Sequence, residues 1–390
     1  MSRGHLEAIW RAGVDACLPE RVLGPNLPEP PRGRTVLLAL GKAAAEMAAA
    51  VEAQWDAPLC GVAVTRRGSE RVLPRVEVLG AAHPVPDESS VAAAERLLAL
   101  ARAAGPDDLV LVLLSGGASS LACLPGEGLG LAQKRSLTAA LLRSGADVRE
   151  INCVRRHLSR FKGGRLAVAA AGAARLVTLA ISDVVGDSPE DIGSGPTAAD
   201  PTTVGDALAI LARYGIDPPE RGWSETPAEV PGEWRLVASG ADALEAASAE
   251  ARRLGYRVRL LECEGEAREV GRGHAALALR MDPGTALISG GELTVTVRGP
   301  GRGGPNQEYA LAAALALAGR PGLSGLAADT DGIDGEGEAA GAFFDGDGGA
   351  AGGEEALEAN DSGAWFARRG GLFVTGPTGT NVSDLRIILT

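Results

Sequence analysis

The chain has 390 residues, of which 45% are hydrophobic and 23% charged, and its formal net charge is −12. The length suits two globular domains, no apolar run is long enough to span a bilayer, and the negative charge disfavours a nucleic-acid surface. Five scattered cysteines do not form the pattern of a disulfide framework or a metal site. We therefore expect a cytoplasmic two-domain protein that binds neither membrane nor nucleic acid.

The first half alternates short aliphatic runs with alanine-rich helical stretches, a pattern typical of a parallel sheet covered by helices. The predicted elements are, in chain order, strand Val36–Leu40, helix Ala43–Gln54, strands Gly61–Thr65 and Val76–Leu79, helix Ser89–Ala104, strand Leu109–Leu114, helices Leu131–Arg143, Val148–Ser159 and Gly164–Ala171, and strand Arg175–Ile181. A long irregular loop, Asp183–Pro201, is predicted to follow.

Four prolines between Ile216 and Trp234 indicate a linker, and we place the domain boundary there, with domains at 1–225 and 226–390. The predicted elements beyond it are strand Arg235–Ala238, helix Asp242–Leu254, strand Arg257–Leu261, helix Glu266–Arg280, strands Ala286–Ser289 and Leu293–Val297, helix Gln307–Ala318, strand Gly325–Ala328, an acidic glycine-rich loop to Gly353, and strands Leu372–Val374 and Leu385–Leu389. Both halves are thus predicted to be α/β.

The turn after Leu114 reads Ser115-Gly116-Gly117-Ala118-Ser119-Ser120. In open α/β sheets ligands bind beyond the carboxyl ends of the strands. Glycines there let the backbone approach a ligand, while amides and hydroxyls can point at an anion. The segment is either a phosphate or carboxylate cradle or a tight strand-to-helix turn with capping serines, and spacing alone does not decide.

Acidic residues follow two predicted strands, at Asp183…Asp187 and at Asp329…Asp334. Mg²⁺ commonly takes one or two protein carboxylates together with phosphate oxygens and water, so these loops are candidates for a metal or a general base. The alternative is a solvated acidic turn. The turn Gly376–Asn381 is likewise either an anion-binding nest or a hairpin connection.

Lysine is rare in this chain: of 38 basic residues only Lys42, Lys134 and Lys162 are lysines, which leaves 38 − 3 = 35 arginines. Where arginine serves for solubility, a remaining lysine is a candidate for a position that needs a compact ammonium. Lys42 and Lys162 are such candidates, whereas Lys134 lies in an ordinary helical pattern.

The order of several turns along the chain resembles the glycerate 2-kinase family, many members of which are named hydroxypyruvate reductase. The resemblance runs from about Val36 to Leu389, and its carriers are Leu40-Gly41-Lys42-Ala43, Ala82-His83-Pro84-Val85-Pro86-Asp87, Ser115–Ser119, Val154–Leu166, Ser182–Asp187, Ser194-Gly195-Pro196-Thr197, Gly290-Gly291-Glu292, Asn306-Gln307-Glu308, Thr330–Gly335 and Gly376–Asn381.

The resemblance implies a Rossmann-like, doubly wound N-terminal domain, a smaller α/β C-terminal domain and an active site in an interdomain cleft. The implied reaction transfers the γ-phosphoryl group of ATP to D-glycerate with Mg²⁺, which is mostly a matter of positioning and charge neutralisation. A homodimer is kept as an option.

The same resemblance implies roles for particular residues. The catalytic candidates are Lys42 at the glycerate carboxylate or the transferred phosphoryl group, Asp183 at the glycerate hydroxyl, and Lys162 at a phosphate. Substrate- or phosphate-binding candidates are Ser115, Gly116, Gly117, Ser119, Arg156 and Gly195. Nucleotide-binding candidates are Gly290, Glu292, Asn306, Thr378 and Asn381, and metal candidates are Asp183, Asp187 and Asp331.

Two other functions were weighed. An NAD(P)H-dependent hydroxypyruvate reductase would use a similar small substrate, but it predicts a GxGxxG fingerprint, and no predicted strand ends in one. A non-catalytic sensor of sugar acids or nucleotides would need few carboxylates opposite a lysine, whereas acidic loops occur in both predicted domains. The sequence therefore favours the kinase.

Overall fold

The computed structural model describes residues 3–335 and 337–390. They fall into two compact units: Pro19–Val237, here the N-terminal unit, and the chain up to Leu18 joined to Ala238–Thr390, here the C-terminal unit. This division differs from the predicted 1–225 and 226–390 at two places. The first helix, α1 (Arg3–Ala16), belongs to the C-terminal unit, and the strand after the proline-rich linker extends the sheet of the N-terminal unit.

The N-terminal unit is built of strands alternating with helices. In chain order it contains α2 (Pro19–Val22), a 3₁₀ turn (Gly24–Asn26), β1 (Thr35–Leu40), α3 (Ala44–Gln54), β2 (Leu59–Arg66), β3 (Val76–Ala81), α4 (Glu88–Arg102), β4 (Leu109–Leu114), α5 (Ala118–Leu121), α6 (Leu131–Ser144), α7 (Val148–His157), α8 (Arg165–Ala169), β5 (Arg175–Ile181), a second 3₁₀ turn (Ile192–Ser194), α9 (Val204–Arg213) and β6 (Glu233–Ala238).

Its sheet has the strand order β3-β2-β1-β4-β5-β6. Each of the pairs β3–β2, β2–β1, β1–β4 and β4–β5 is parallel. Every residue of β1 and β4 is buried, which explains their uninterrupted aliphatic runs, because a strand covered by helices on both faces needs no polar side. The chain moves outward from β1 to β3 and then returns to β1's other edge with β4. Such a reversal is where open α/β sheets bind ligands.

The C-terminal unit holds α1 and the rest of the chain. Its further elements are α10 (Gly240–Arg253), β7 (Arg257–Glu262), β8 (Gly265–Glu266), α11 (Ala267–Ala278), β9 (Thr285–Gly290), β10 (Leu293–Thr294), α12 (Pro305–Leu317), β11 (Ser324–Asp329), β12 (Gly341–Asp345), α13 (Gly353–Glu358), α14 (Ser362–Arg369), β13 (Leu372–Phe373) and β14 (Asp384–Leu389).

Six of these strands form a mixed sheet of order β13-β12-β11-β14-β9-β7, and β10 pairs with β8 separately. The last strand, β14, is antiparallel to both of its neighbours, β11 and β9. The end of β9, the end of β11 and the start of β14 therefore lie side by side at the same end of the sheet. Helix α12 is apolar around most of its surface and is buried accordingly.

Most predicted elements are confirmed, and the mixed α/β architecture with them. The predicted elements lack the short α2, α5 and β8 as well as α9, α13 and α14, and they assign β12 to an acidic glycine-rich loop. Alanine, glycine and aspartate dominate that region, so neither helical nor strand periodicity stands out. The predicted strand Leu293–Val297 is shorter in the structure, Leu293–Thr294. Within the described residues, no helix is both long and apolar enough to cross a membrane.

Trp10 attaches α1 to the C-terminal unit. Its side chain is 1% exposed, its Nε1 donates to the Ala328 carbonyl at 3.4 Å, and its ring packs edge-on against Phe373 at 5.0 Å. Trp10→Ala should lower the free energy of unfolding by about 3–5 kcal/mol, as large aromatic truncations in cores do. Urea unfolding measures this, with Val72→Ala as a control because Val72 is 97% exposed. An equal effect of both changes would contradict the assignment of α1.

Candidate active site

The turns that follow β1 and β4 are hydrogen-bonded to each other. The strands pair Leu40 with Leu114 at their ends. Beyond that pair the Lys42 amide donates to the Gly116 carbonyl at 2.8 Å, and the Ala43 amide donates to Ser115 Oγ at 3.1 Å. We call residues 115–120 the cradle. Its first serine is thus committed to holding the neighbouring turn, which supports a structural role for Ser115.

Gly117 gives the cradle its open centre. Its φ is +80°, a left-handed conformation that glycine adopts without strain. A Cβ atom placed there would lie 3.0 Å from His83 Nε2 and 3.1 Å from Lys42 Cγ. The structure thereby brings Lys42 and His83 to the same point of the cradle. Both residues make further interactions within the protein.

A cavity of about 750 Å³ opens beside the cradle. Its walls are Gly117, Ser119 and Ser120 of the cradle, the turn His83–Pro86, and the side chains of α6. This volume lies in the range typical of sites for small molecules and cofactors. Arg135, Arg155, Lys134 and Lys162 are also among the lining residues, so the cavity suits an anionic ligand.

Two lysine ammonium groups are buried at this cavity. Lys162 Nζ donates to the carbonyls of Ser119 at 2.6 Å and Ala122 at 3.1 Å, and the first of these bonds holds the cradle backbone in place. Because an ammonium has three N–H groups, one remains for another oxygen. Lys134 Nζ donates to the carbonyls of Arg155 and Leu158. Burial lowers the pKa of Lys162 to about 7 and that of Lys134 to about 8.

A buried polar network lies behind the cradle. Ser194 Oγ is 2.9 Å from Ser119 Oγ and donates to Asn152 Oδ1 at 2.9 Å. Asn152 Nδ2 in turn donates to Asp191 Oδ1 at 3.1 Å. The Arg156 guanidinium, 3% exposed, pairs with that Asp191 oxygen at 3.5 Å. The network therefore links α7 and the long loop to a cradle hydroxyl.

Arg156 is held at its other side by Asp200, with Nε 2.9 Å from Oδ2. The structure gives Arg156 a role in ordering the loop, and its predicted contact with substrate stays a prediction. Gly195 belongs to a left-handed turn in which Gly193, Ser194 and Gly195 have φ values of 62°, 62° and 59°. Strained non-glycine residues such as Ser194 concentrate at functional sites.

Asp183 and Asp187 follow β5, the strand next to β4. Both are partly buried, and Asp187 also has a left-handed backbone, with φ 53°. Asp331, the third predicted metal ligand, belongs to the C-terminal unit. Among residues 3–335 and 337–390, no three His, Cys, Asp or Glu side chains are grouped as they would be to hold a metal ion.

In the C-terminal unit, Asn306 stands at the start of α12 among buried carboxylates. Its Nδ2 donates to Asp384 at 2.6 Å and to Asp334 at 3.3 Å. Asp334 also accepts the backbone amides of Asn306 and Gln307, so it caps the helix. Burial, the dominant cause, nevertheless raises the pKa of Asp334 to about 7. Asn306 Oδ1 is buried without a hydrogen-bond partner among the described residues.

The other predicted nucleotide ligands gather at the same sheet edge. Gly290 ends β9, and Glu292, exposed two residues later, accepts a hydrogen bond from Ser383 at 3.1 Å. Thr378 donates its amide to the Asp331 carbonyl at 3.1 Å. Asn381 is buried in the turn before β14. The structure thus groups these residues, while their contact with a nucleotide stays a prediction.

The sequence reading missed several residues of the N-terminal site. Lys134 was assigned to an ordinary helix, yet its ammonium is as enclosed as that of Lys162. Asn152 and Ser194 were not singled out for a role, because their partners lie 42 and 75 positions away along the chain. His83 carried one available signal, its place in a proline-fixed turn directly after a strand.

The N-terminal unit thus combines an α/β parallel sheet with a cavity at its strand reversal that is lined by four basic residues. The family described as Domain of unknown function (DUF4147) matches residues 5–222, and the MOFRL family matches residues 285–384. The D-glycerate 2-kinase of Thermotoga maritima is 41% identical over 97% of this chain and 96% of its own length. The chain belongs to the glycerate 2-kinase family.

Two further similarities agree with that membership. A crystal structure of glycerate kinase from Thermotoga maritima superposes with a TM-score of 0.87 at 39% identity, covering 98% of this chain and 97% of that one. A protein of Agrobacterium vitis, provisionally named hydroxypyruvate reductase, is 49% identical over 100% of this chain and 94% of its own length.

Gly117→Ala should abolish most of the activity of the site. The added methyl group would press on His83 and Lys42, whereas Gly145→Ala places a methyl at the same φ of +80° with nothing within 4 Å. Both variants should lose about 1 kcal/mol of stability from the left-handed backbone, but only Gly117→Ala should lose turnover, by a factor of ~10². Equal turnover in the two variants would contradict a role for the space beside Gly117 in activity.

Lys162 should make stability rise with pH. The unfolded chain keeps the ordinary lysine pKa near 10.5, so between pH 7 and that value it binds more protons than the folded protein. The free energy of unfolding of the wild type, relative to Lys162→Met, should therefore increase by about 2 kcal/mol from pH 7 to pH 9. Denaturant titrations at several pH values measure it, and a constant difference would contradict the buried ammonium.

Proposed function

We propose that this protein is an ATP-dependent D-glycerate 2-kinase, which converts D-glycerate and ATP into 2-phosphoglycerate and ADP. The observation that carries the proposal is the cationic cavity at the strand reversal, with Gly117 keeping the centre of the cradle open. Relatives named as glycerate 2-kinases, similar over almost the whole chain, support it.

Charge distribution supports an anionic substrate. The chain carries a net charge of −12, which repels anions at long range, so any anion-binding site needs cations concentrated locally. Lys42 lies at the cradle, and Lys162 is buried against it. A carboxylate or a transferred phosphoryl group beside Gly117 would be neutralised by Lys42, and the same anion would favour the charged form of Lys162.

The chemistry requires that a glycerate hydroxyl attack the γ-phosphorus while its proton leaves. The oxygen of C2 forms the new P–O bond, the bond to the ADP oxygen breaks, and the hydroxyl proton passes to an acceptor. Asp183, at the end of the strand next to β4, is our candidate for orienting that hydroxyl and taking its proton. Lys42 holds the carboxylate or the moving phosphoryl group.

Asp183 and Asp187, which follow β5, offer carboxylate oxygens of the kind that Mg²⁺ prefers, and Asp331 on the C-terminal unit offers the same kind of donor separately. When bound, Mg²⁺ would neutralise charge on the nucleotide phosphates. We also propose that the N-terminal unit is Rossmann-like, which its strand order β3-β2-β1-β4-β5-β6 supports. Glu292, Asn306, Thr378 and Asn381 are then nucleotide-binding candidates on the C-terminal unit.

The name hydroxypyruvate reductase among the relatives makes the redox reaction the natural competitor. It would require a dinucleotide site, and the turn after β1 reads Gly41-Lys42-Ala43 in place of a GxGxxG sequence. That turn is also occupied by its hydrogen bonds with the cradle. The kinase is therefore the function that this site supports.

Purified protein should convert D-glycerate, ATP and Mg²⁺ into 2-phosphoglycerate, which enolase dehydrates directly to an absorbing product. Lys42→Ala and Asp183→Asn should each lower kcat by a factor of ~10² or more, if they neutralise charge and accept the proton. Ser144→Ala, at the far end of α6, is the matched control and should retain activity. Oxidation of NADH by hydroxypyruvate without use of ATP would instead establish the reductase.

A further inference from the structure

A chain of hydrogen bonds runs behind the cradle from Ser119 through Ser194 and Asn152 to Asp191, and Asp191 determines the direction of each bond. The Asp191 carboxylate accepts hydrogen bonds and donates none, so the amide nitrogen of Asn152 must face it, as the distance of 3.1 Å shows. The other amide atom, Asn152 Oδ1, therefore faces Ser194. Arg156 Nη1 lies 3.5 Å from the same Asp191 oxygen.

This order dictates where the hydrogen of each serine points. Ser194 has one hydroxyl hydrogen and donates it to Asn152 Oδ1. In its contact of 2.9 Å with Ser119, Ser194 can therefore only accept. The hydrogen of Ser119 therefore points toward Ser194, and because Ser119 lines the cavity, its Oγ keeps lone pairs available for a hydrogen-bond donor of the ligand.

A lone pair directed at the cavity repels an anion and attracts a donor. Phosphate and carboxylate oxygens offer no hydrogen at neutral pH, whereas a hydroxyl group does. The anion-binding role predicted for Ser119 from the sequence is thus at odds with its hydrogen-bond direction. Ser119 is suited to accept a hydrogen bond from an uncharged hydroxyl group of the substrate.

The same network cannot carry a proton away. A proton taken by Ser119 would have to move through Ser194 onto the amide of Asn152, and an amide is too weak a base to pass it on to Asp191. Ser119 therefore cannot serve the hydroxyl that is phosphorylated, because that group must lose its proton. It can serve a hydroxyl that keeps its proton throughout.

We propose that Ser119 accepts a hydrogen bond from the glycerate hydroxyl that is not phosphorylated, and that Ser194 and Asn152 are positioning residues which hold Ser119 in that orientation. This inference rests on the proposed function. It makes Ser119 the residue that distinguishes D-glycerate from D-lactate, the same acid without the second hydroxyl. The left-handed backbone of Ser194 then aligns its Oγ with both partners.

The test compares the two acids in wild type and Ser119→Ala. Removing one neutral hydrogen bond should reduce kcat/KM for D-glycerate by about tenfold, while D-lactate, measured as an acceptor or through its inhibition constant, should change less than about twofold. Ser144→Ala should alter neither acid. An equal loss for both acids in Ser119→Ala would overturn the proposal.

Ser194→Ala tests the direction of the hydrogen bonds. Without its acceptor, the Ser119 hydroxyl can turn toward the cavity and donate, so inorganic phosphate should become a competitive inhibitor several times stronger than with the wild type. A merely structural role would weaken every ligand alike, and an unchanged or weaker inhibition by phosphate would refute the network. Thermal unfolding of the variant confirms that it is folded.

Calorimetric affinities for the two acids separate this proposal from the kinase itself. If no phosphoryl transfer occurs with any acid, the proposed function fails. The selective loss of D-glycerate binding in Ser119→Ala would still be measurable as a dissociation constant. A wild type that binds both acids equally would overturn the assignment of Ser119.

Discussion

Two backbone turns pack so closely after β1 and β4 that one of them has no room for a side chain. Gly41 has φ +137°, and a Cβ there would overlap both the hydroxyl and the carbonyl of Ser115. Parallel pairing of the two strands brings the turns together, and the missing side chain lets the Ala43 amide reach Ser115 Oγ. The position of Lys42 beside Gly117 depends on this contact.

Buried charged side chains lie behind the cradle, and a charge in the protein interior costs free energy unless an opposite charge pairs with it. Arg156 and Asp200 are both almost inaccessible to solvent, so removing either would leave an uncompensated ion in the interior. Hydrophobic residues of similar volume could stabilise the fold as well, but they would not fix the direction of a hydroxyl. Hydrogen bonds from Asp191 through Asn152 and Ser194 specify one arrangement of groups, and that arrangement ends at Ser119.

The fold was largely predictable because its strands are buried on both faces and its helices are rich in alanine. The turn after Leu114 was predictable as a candidate site, since ligands bind beyond strand ends in open sheets, but its spacing left an anion cradle and a capped turn equally open. The network behind it was not, because Asn152, Ser194 and Asp191 become neighbours only through tertiary packing. The helical pattern of the N-terminus is readable from the sequence, but nothing local in Arg3–Ala16 says which unit will bury Trp10.

The scarcity of lysine was informative for Lys134 as well, which the sequence analysis had treated as an ordinary helical residue. Lys134 and Lys162 each present an ammonium to two backbone carbonyls in the interior. Arginine cannot replace them there, because a guanidinium has five donors in a rigid plane and cannot lose its charge. A lysine that serves packing and one that serves chemistry therefore look alike in a sequence. Each keeps a third N–H, and they differ in what they hold: Lys162 bonds to the Ser119 carbonyl of the cradle, whereas Lys134 bonds to the carbonyls of Arg155 and Leu158.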